Sequence, residues 1–477
     1  MGACLRVFLG NPPWSKPGRL GVRAGSRWPF TMVVKAGERL PFYVPFPFYL
    51  AYAAAVLERE GHQVLLVDAI AEGITEEEFL ARAADFRPDA IILETSTPTI
   101  AVDLASAKSL KQRTNARIIL CGPHVTVEGA RILRENKFVD FAAVGEYEFV
   151  VRDLVTALAS GADASTLKGV LLRKEGVVVD TGRAEPVDIN QLPWPARHFL
   201  PMLNYRDGNA GLPQPSLQLH ASRGCPFRCD FCLWPQVMYN GGKYRVRDPK
   251  DVVDEIEFCL KTWGFQSFYF DDDTFDIGRD RIVRLCDEIK ARNIRVPWEA
   301  MCRADTCDYA MLKAMKDAGL YCLKFGVESG NQETLKRIRK NLDLGKVRQT
   351  MRECRELGIK THLTFTFGLT GETIEDVKKT IDFAIELDPD SVQFSLTTPF
   401  PGTDFYKNLD ARGLIISTDW SKYDGNATAV FRAENLSPKQ LENALAEAKR
   451  RWQAHKRFRH RIHQVKGILR LLVPPTQ

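Results

Sequence analysis

Three cysteines stand in one short run, Arg223-Gly224-Cys225-Pro226-Phe227-Arg228-Cys229-Asp230-Phe231-Cys232, with three and then two residues between them. Gaps this short let a single loop turn all three sulfurs toward a common point. The run follows an apolar, strand-like stretch at 216–221, so the fold must present a metal-binding loop at the end of a strand. Iron–sulfur clusters are normally held by four thiolates. Three thiolates with no fourth nearby would leave one iron open to an outside ligand. The alternative is a zinc site, which would want a fourth Cys or His at regular spacing. The nearest candidate, Cys259, falls in an amphipathic helical pattern and reads as core.

Ahead of this loop the apolar pattern alternates between strand and helix. Strand-like runs at 5–9, 64–68, 90–94, 118–121 and 141–144 are separated by helical periods at 48–60, 75–86, 101–113, 127–136 and 148–159, with Thr75 as an N-cap. Such alternation predicts a doubly wound parallel sheet with helices on both faces. Ligands of such sheets sit at the carboxyl ends of the strands, here the segments 11–14, 95–99, 122–126 and 145–148. They hold Asn11, Ser96, Gly122, His124 and Gly145. A lone loop histidine is more often a hydrogen-bonding residue than a metal ligand, so His124 is read as a polar contact.

Two short apolar runs at 169–173 and 177–180 predict a surface hairpin, and the Pro- and Gly-rich stretch 192–215 predicts a domain boundary. The alternation restarts at 216. Strands are expected at 217–221, 267–270, 298–302, 322–327, 361–367 and 391–396, with helices at 249–262, 280–292, 309–317, 344–357 and 373–386. Parallel barrels carry their chemistry at the carboxyl ends of the strands. Those ends are polar: Asp271-Asp272-Asp273, Arg303-Ala304-Asp305, Gly326-Val327-Glu328-Ser329-Gly330 and Gly368-Leu369-Thr370-Gly371.

Eleven cysteines and no basic-then-apolar leader suit a reducing, cytoplasmic setting. No window approaches about 18 apolar residues, so no membrane span is predicted. The net charge of +6 belongs to the tail, since 449–477 holds nine Lys or Arg and no Asp or Glu, leaving the remainder net negative. No nucleic-acid-binding motif accompanies it, and no nucleic-acid partner is expected.

The cysteine loop resembles that of the radical S-adenosylmethionine (SAM) enzymes, and its placement behind a doubly wound domain resembles the cobalamin-dependent group that includes the anaerobic magnesium-protoporphyrin monomethyl ester cyclases. The turn Thr398-Pro399-Phe400-Pro401-Gly402-Thr403 adds to that likeness. The resemblance implies a cobalamin-binding Rossmann-like domain at 1–160, a hairpin and linker at 161–215, a partial (β/α)6 barrel at 216–403 and a helical extension at 404–477. It implies a 4Fe-4S cluster on Cys225, Cys229 and Cys232, whose open iron binds SAM. SAM contacts would come from Asp271, Asp272, Arg303, Glu328, Gly368 and Gly371, and cobalamin contacts from Asn11, Ser96, Gly122, His124 and Gly145. The Asp-x-His-x-x-Gly signature of cobalt-ligating proteins is missing, so no histidine of this domain is expected on cobalt. The implied reaction forms a 5'-deoxyadenosyl radical that attacks an unactivated carbon of an organic substrate, with methyl transfer as the first reading and cyclisation or rearrangement as the second. A flavodoxin or ferredoxin would supply the electron. A non-catalytic cobalamin or metal sensor is a reading of another class, and the retained SAM-facing residues weigh against it.

The tail carries a helical pattern at 438–472 behind Ser437, with Leu441, Leu445, Ala448, Trp452, Phe458, Ile462, Val465, Leu469 and Leu472 mostly on one side. Two readings stand: a helix packed on the barrel with a solvated basic face, or an amphipathic helix on an anionic membrane, which would suit a lipid-linked substrate.

Overall fold

The computed structural model describes residues 3–16, 19–22, 30–33, 43–207, 211–424 and 428–472, with side chains for 3–14, 43–207, 211–424 and 428–459. Strands β1 (Arg6–Asn11), β2 (Gln63–Asp68), β3 (Ala90–Glu94), β4 (Arg117–Cys121) and β5 (Phe141–Ala143) pair in parallel in the order β2-β1-β3-β4-β5. The hairpin β6 (Val170–Lys174) and β7 (Val177–Asp180) extends this sheet antiparallel to β5, giving seven strands. Alternate residues feed two cores. Phe8, Ile91, Leu93, Ile118 and Leu120 pack with α2 (Glu76–Phe86), α3 (Ile100–Thr114) and α4 (Pro123–Glu135). Val7, Leu9, Ile92 and Ile119 pack with α1 (Phe48–Arg59) and α5 (Glu148–Ser160). The strand order reverses between β1 and β3, and ligands of such sheets bind at that crevice. Thr75 caps α2 through a complete capping box with Glu78.

One boundary departs from expectation. Helix α4 starts at Pro123 rather than 127, because Gly122 takes φ +98° and Pro123 occupies the first helical position, where its missing N–H costs nothing. His124 therefore lies in the first turn of a helix, not in a loop.

The second sheet consists of β8 (Ser216–Leu219), β9 (Ser267–Phe270), β10 (Trp298–Cys302), β11 (Leu320–Glu328), β12 (Lys360–Phe367) and β13 (Ser391–Leu396), six parallel strands in sequence order. A polar row crosses its middle. Gln218, Tyr269, Glu299, Lys324 and His362 are each at most 4% exposed. Lys324 Nζ lies 2.9 Å from Asp207 and 3.2 Å from Glu299, which gives its buried charge the partners it needs. Burial, followed by Lys324, drops the His362 pKa to about 4 and keeps that ring neutral.

The two sheets are tied together by the segment between them. Tyr43–Val44 pairs with Arg206–Asp207, and Gln218 of β8 accepts the Phe46 N–H at 2.8 Å. The turn behind β13 meets the first domain directly: a Cβ on Gly402 would fall 2.6 Å from Val127 of α4 and 2.8 Å from Val237. Only glycine fits that contact.

Helix α6 (Pro438–Leu472) forms as expected, with Ser437 and Gln440 exchanging capping bonds. Leu441, Leu445 and Ala448 are buried and Trp452 packs against the core. Arg451 pairs with Asp382 at 2.7 Å, His455 with Asp388 at 2.8 Å, and Lys456 donates to the Asp390 carbonyl at 3.2 Å. The packed-helix reading thus accounts for the tail through Lys456, while Phe458 is 64% exposed. The side chains of Ile462, Val465, Leu469 and Leu472, and of Arg461, Lys466 and Arg470, lie outside the described residues. Among the described residues no helix is long and apolar enough to cross a membrane.

Candidate cofactor-binding site

The cysteine loop is fixed by its backbone; of its thiols, that of Cys225 lies 3.3 Å from the Thr274 hydroxyl. Ser222–Arg223 pairs with Arg245–Val246, and Gly224 follows at φ +96° with a virtual Cβ only 2.2 Å from the Lys243 carbonyl, so no side chain fits there. The Gln236 amide donates to the carbonyls of Cys229, Asp230 and Cys232 at 3.1, 3.0 and 2.9 Å, while its oxygen accepts the Asp404 N–H at 2.8 Å. The Asp230 N–H donates to the Ile338 carbonyl at 3.1 Å, and its own carbonyl accepts the Phe405 N–H at 3.0 Å. Nothing in the cysteine spacing signals Gln236, whose role depends on this three-dimensional convergence.

All three cysteines are free thiols of intermediate exposure. Burial pushes each thiol up, and for Cys232 the neighbouring Cys229 and Cys225 add to the rise. Lys340, 9% exposed, opposes the rise at Cys229. Thiols so held lose their protons only with a cation core to receive the thiolates, as metal binding requires. Among the described residues no three His, Cys, Asp or Glu side chains converge on a single ion. A 4Fe-4S cluster does not require such convergence, since each thiolate takes its own iron. The donor set fits the cluster.

The three carboxylates behind β9 have different tasks. Asp272 is fully buried and accepts the Ala221 N–H at 2.9 Å and the Ser222 hydroxyl, so it braces β8 against β9. The resemblance assigns it to the SAM ammonium; each of its oxygens also accepts one of these scaffold bonds. Asp273 accepts the Gly224 N–H at 2.8 Å and the Tyr239 hydroxyl at 2.7 Å. Asp271, 8% exposed, accepts the Tyr269 hydroxyl at 3.1 Å.

Arg303 forms a two-pronged pair with Asp305 at 2.5 and 2.9 Å and lies 3.7 Å above the Phe227 ring of the cysteine loop. Glu328 ends β11 at a bulge with φ +70°, a strained conformation for a side chain with a Cβ and one that clusters at functional sites. It accepts from Lys340 at 3.2 Å. Lys340 was not singled out in the sequence; its only signal was a basic run behind β11. Behind β12 the glycines sit close to protein: a Cβ on Gly368 would meet Phe431 at 2.8 Å, and one on Gly371 would meet Arg337 at 3.1 Å.

At the carboxyl ends of the first sheet two polar side chains are incompletely satisfied. Asn11 Oδ1 and His124 Nε2 are buried with no hydrogen-bond partner among the described residues. His124 Nδ1 lies 3.1 Å from the Thr97 hydroxyl, and the ring packs edge-on to Trp420 at 5.4 Å. Burial lowers its pKa to about 3, so the imidazole is neutral. The Ser96 hydroxyl bonds Thr99 at 2.8 Å. Gly122 abuts the Thr95 backbone, 2.5 Å from a virtual Cβ, and Gly145 takes φ +77° against Arg183 and the Met238 carbonyl. Buried polar atoms are normally paired. Two orphans at the ends of β1 and β4, flanking the switch point, fit a polar ligand seated there.

The family model of the Radical SAM superfamily matches residues 219–384, and that of the B12 binding domain matches residues 42–155. The chain thus carries a B12 binding domain ahead of a radical SAM domain; it is an enzyme of that type, and its cofactors are a 4Fe-4S cluster, SAM and cobalamin. It is 29% identical over 408 residues to an uncharacterized methyltransferase of Pyrococcus horikoshii, covering 84% of this chain and 86% of that one. It is 27% identical over 429 residues to the anaerobic magnesium-protoporphyrin IX monomethyl ester cyclase of Rubrivivax gelatinosus, covering 86% and 74% of the two chains. In fold it is similar to the radical S-adenosylmethionine methyltransferase TsrM from Kitasatospora setae, solved with cobalamin and a [4Fe-4S] cluster bound. That similarity has a TM-score of 0.67 and 19% identity, and it covers 86% of this chain and 75% of that one.

Proposed function

We propose that the protein is a cobalamin-dependent C-methyltransferase acting on an unactivated carbon of an organic substrate. One observation carries this reading: the segment behind the cysteine loop touches the cobalamin-side loops, with the Thr126 hydroxyl 3.8 Å from Met238 Sδ and Arg223 paired to Glu146 at 2.9 Å. When bound, the cluster and SAM supply a carbon radical and cobalamin supplies a methyl carrier.

The chain's own contribution is holding and exclusion of water. Cys225, Cys229 and Cys232 hold the cluster. Asp271 faces the SAM ammonium, with Asp272 and Asp273 bracing the strand end behind it, and Arg303 and Glu328 bound the same space. Asn11, Ser96, Gly122, His124 and Gly145 line the cobalamin side, with His124 held through Nδ1 by Thr97 and offering its unpartnered Nε2 for a hydrogen bond. The sequential order of the six parallel strands supports a partial barrel. A one-electron protein such as a flavodoxin or ferredoxin supplies the reductant. The membrane contact proposed for the tail, and the lipid-linked substrate it would serve, narrow to the stretch from about Arg457 on, where Phe458 is exposed, because Arg451, His455 and Lys456 before it have partners on the barrel.

The similarity to magnesium-protoporphyrin monomethyl ester cyclases favours a second reading, cyclisation without methyl transfer. Product analysis separates the two. After anaerobic reconstitution with all three cofactors and a reductant, methyl transfer requires both 5'-deoxyadenosine and S-adenosylhomocysteine in turnover. 5'-Deoxyadenosine alone supports cyclisation and overturns the methyltransferase reading.

A further inference from the structure

Arg223 opens the cysteine loop, yet its side chain is buried in the other domain. Its Nη1 lies 2.9 Å from Glu146 and 2.7 Å from Glu148, and its guanidinium sits 4.5 Å above the Tyr49 ring and 5.5 Å from that of Tyr52, both on α1. Arg223, Glu146 and Glu148 are each 5% exposed or less. Glu146 also takes Arg245 at 2.7 Å and the Val187 N–H at 3.1 Å, and Arg245 belongs to the short strand paired with Ser222–Arg223. Glu148 begins α5, where the helix N-terminus favours a negative charge.

A second route runs beside the first. The Tyr49 and Tyr239 hydroxyls are 3.0 Å apart, Tyr239 donates to Asp273 at 2.7 Å, and the same Asp273 oxygen accepts the Gly224 N–H at 2.8 Å. Both routes begin in the B12 binding domain and end at the two residues immediately before Cys225. Buried ion pairs are poor devices for stability alone, but they fix register, because a shifted arrangement leaves a charge unpaired in the interior. Apolar contacts would tolerate sliding between the domains.

We propose that Arg223, Glu146 and Tyr239 are positioning residues that set the register of the cysteine loop against the loop carrying Gly145, so that the two cofactor sites move as one body. The inference rests on the proposed cobalamin-dependent reading and adds that coupling between the sites is built into this network. It yields two measurable consequences. Opening of segments 145–148 and 222–225 should be concerted, and loosening the network should uncouple SAM cleavage from product formation without emptying either site.

Tyr239→Phe tests this with little risk to folding, since it removes one hydroxyl and keeps the ring; Arg223→Lys is the stronger variant, keeping the charge while losing the planar fork. Amide exchange of the protein without cofactors is expected to rise about tenfold in both segments together in Tyr239→Phe. Iron and cobalt contents after reconstitution should equal those of the wild type. In turnover, 5'-deoxyadenosine formed per product should rise several-fold, a change that a general loss of stability would not bring. A rise confined to one segment, or an unchanged ratio with both sites filled, overturns the proposal. Failure of the wild type to take up cobalamin would instead overturn the functional reading, while the exchange result would still decide whether the network couples the loops.

Discussion

The cysteine loop and the cobalamin-side loops solve opposite problems. Around the cysteines the backbone is saturated, through Gln236, Asp273, Ile338 and Phe405, so the loop holds its shape before any cluster arrives. At the ends of β1 and β4 the backbone is also closely packed at Gly122, but two side-chain atoms, Asn11 Oδ1 and His124 Nε2, are left buried without a partner among the described residues, against one, Asp230 Oδ1, in the cysteine loop. A covalently ligated cluster needs a rigid frame and few other contacts. A large organic cofactor held by many weak contacts needs polar atoms kept in reserve. Substitutions in the frame of the cysteine loop should therefore cost stability with or without cofactor, whereas those of the unpartnered cobalamin-side atoms should, at neutral pH, appear mainly when cofactor is added.

The largest effect is expected at Gly224. Gly224→Ala drives a Cβ to 2.2 Å from the Lys243 carbonyl at φ +96°, and a cost of about 3 kcal/mol follows from the strain and the overpacking together. Chemical denaturation of the cofactor-free protein measures it, and full stability in the variant would break the comparison on the cluster side.

His124 offers a smaller effect that depends on pH. Its folded pKa of about 3 lies below the model-peptide value of 6.5, so the unfolded chain binds the extra proton and stability declines as pH falls from about 6.5 toward 3. Between pH 7 and pH 5 this amounts to about 2 kcal/mol in the wild type. Comparing denaturation of wild type and His124→Gln at the two pH values checks it: the variant should lack that part of the decline.

Asn11→Leu should change the cofactor-free protein least, by about 1 kcal/mol or less in either direction, because an orphaned buried acceptor is exchanged for an apolar group of similar size. Cobalamin affinity should nonetheless fall about tenfold, read by titration of the apoprotein. A loss of stability without a loss of affinity would place Asn11 in the scaffold.

Much of this was legible in the sequence. The strand and helix alternation located both parallel sheets, because buried strands declare themselves through unbroken apolar runs. The cysteine spacing located the loop. Legibility ended where function depends on partners far apart in the chain: nothing local marks Glu146 as the partner of Arg223, or Lys340 as the neighbour of Cys229. Nor does the run Asp271-Asp272-Asp273 say which carboxylate does what: Asp272 and Asp273 both accept bonds from the cysteine-loop strand or its neighbours, which only the folded strand end decides. The close packing of Gly368 against Phe431 and of Gly371 against Arg337 is likewise invisible in the local sequence.

The most direct test of the two-sided account is metal analysis of the protein in which Cys225, Cys229 and Cys232 are all replaced by Ala, reconstituted anaerobically beside the wild type. The wild type should hold about four iron per chain with matching sulfide and one cobalt. The triple variant should lose the iron and all SAM cleavage, yet keep its cobalamin, because the frame of the loop is made by its backbone and not by its thiols. Full iron in the triple variant, or loss of cobalamin along with the iron, would contradict the account.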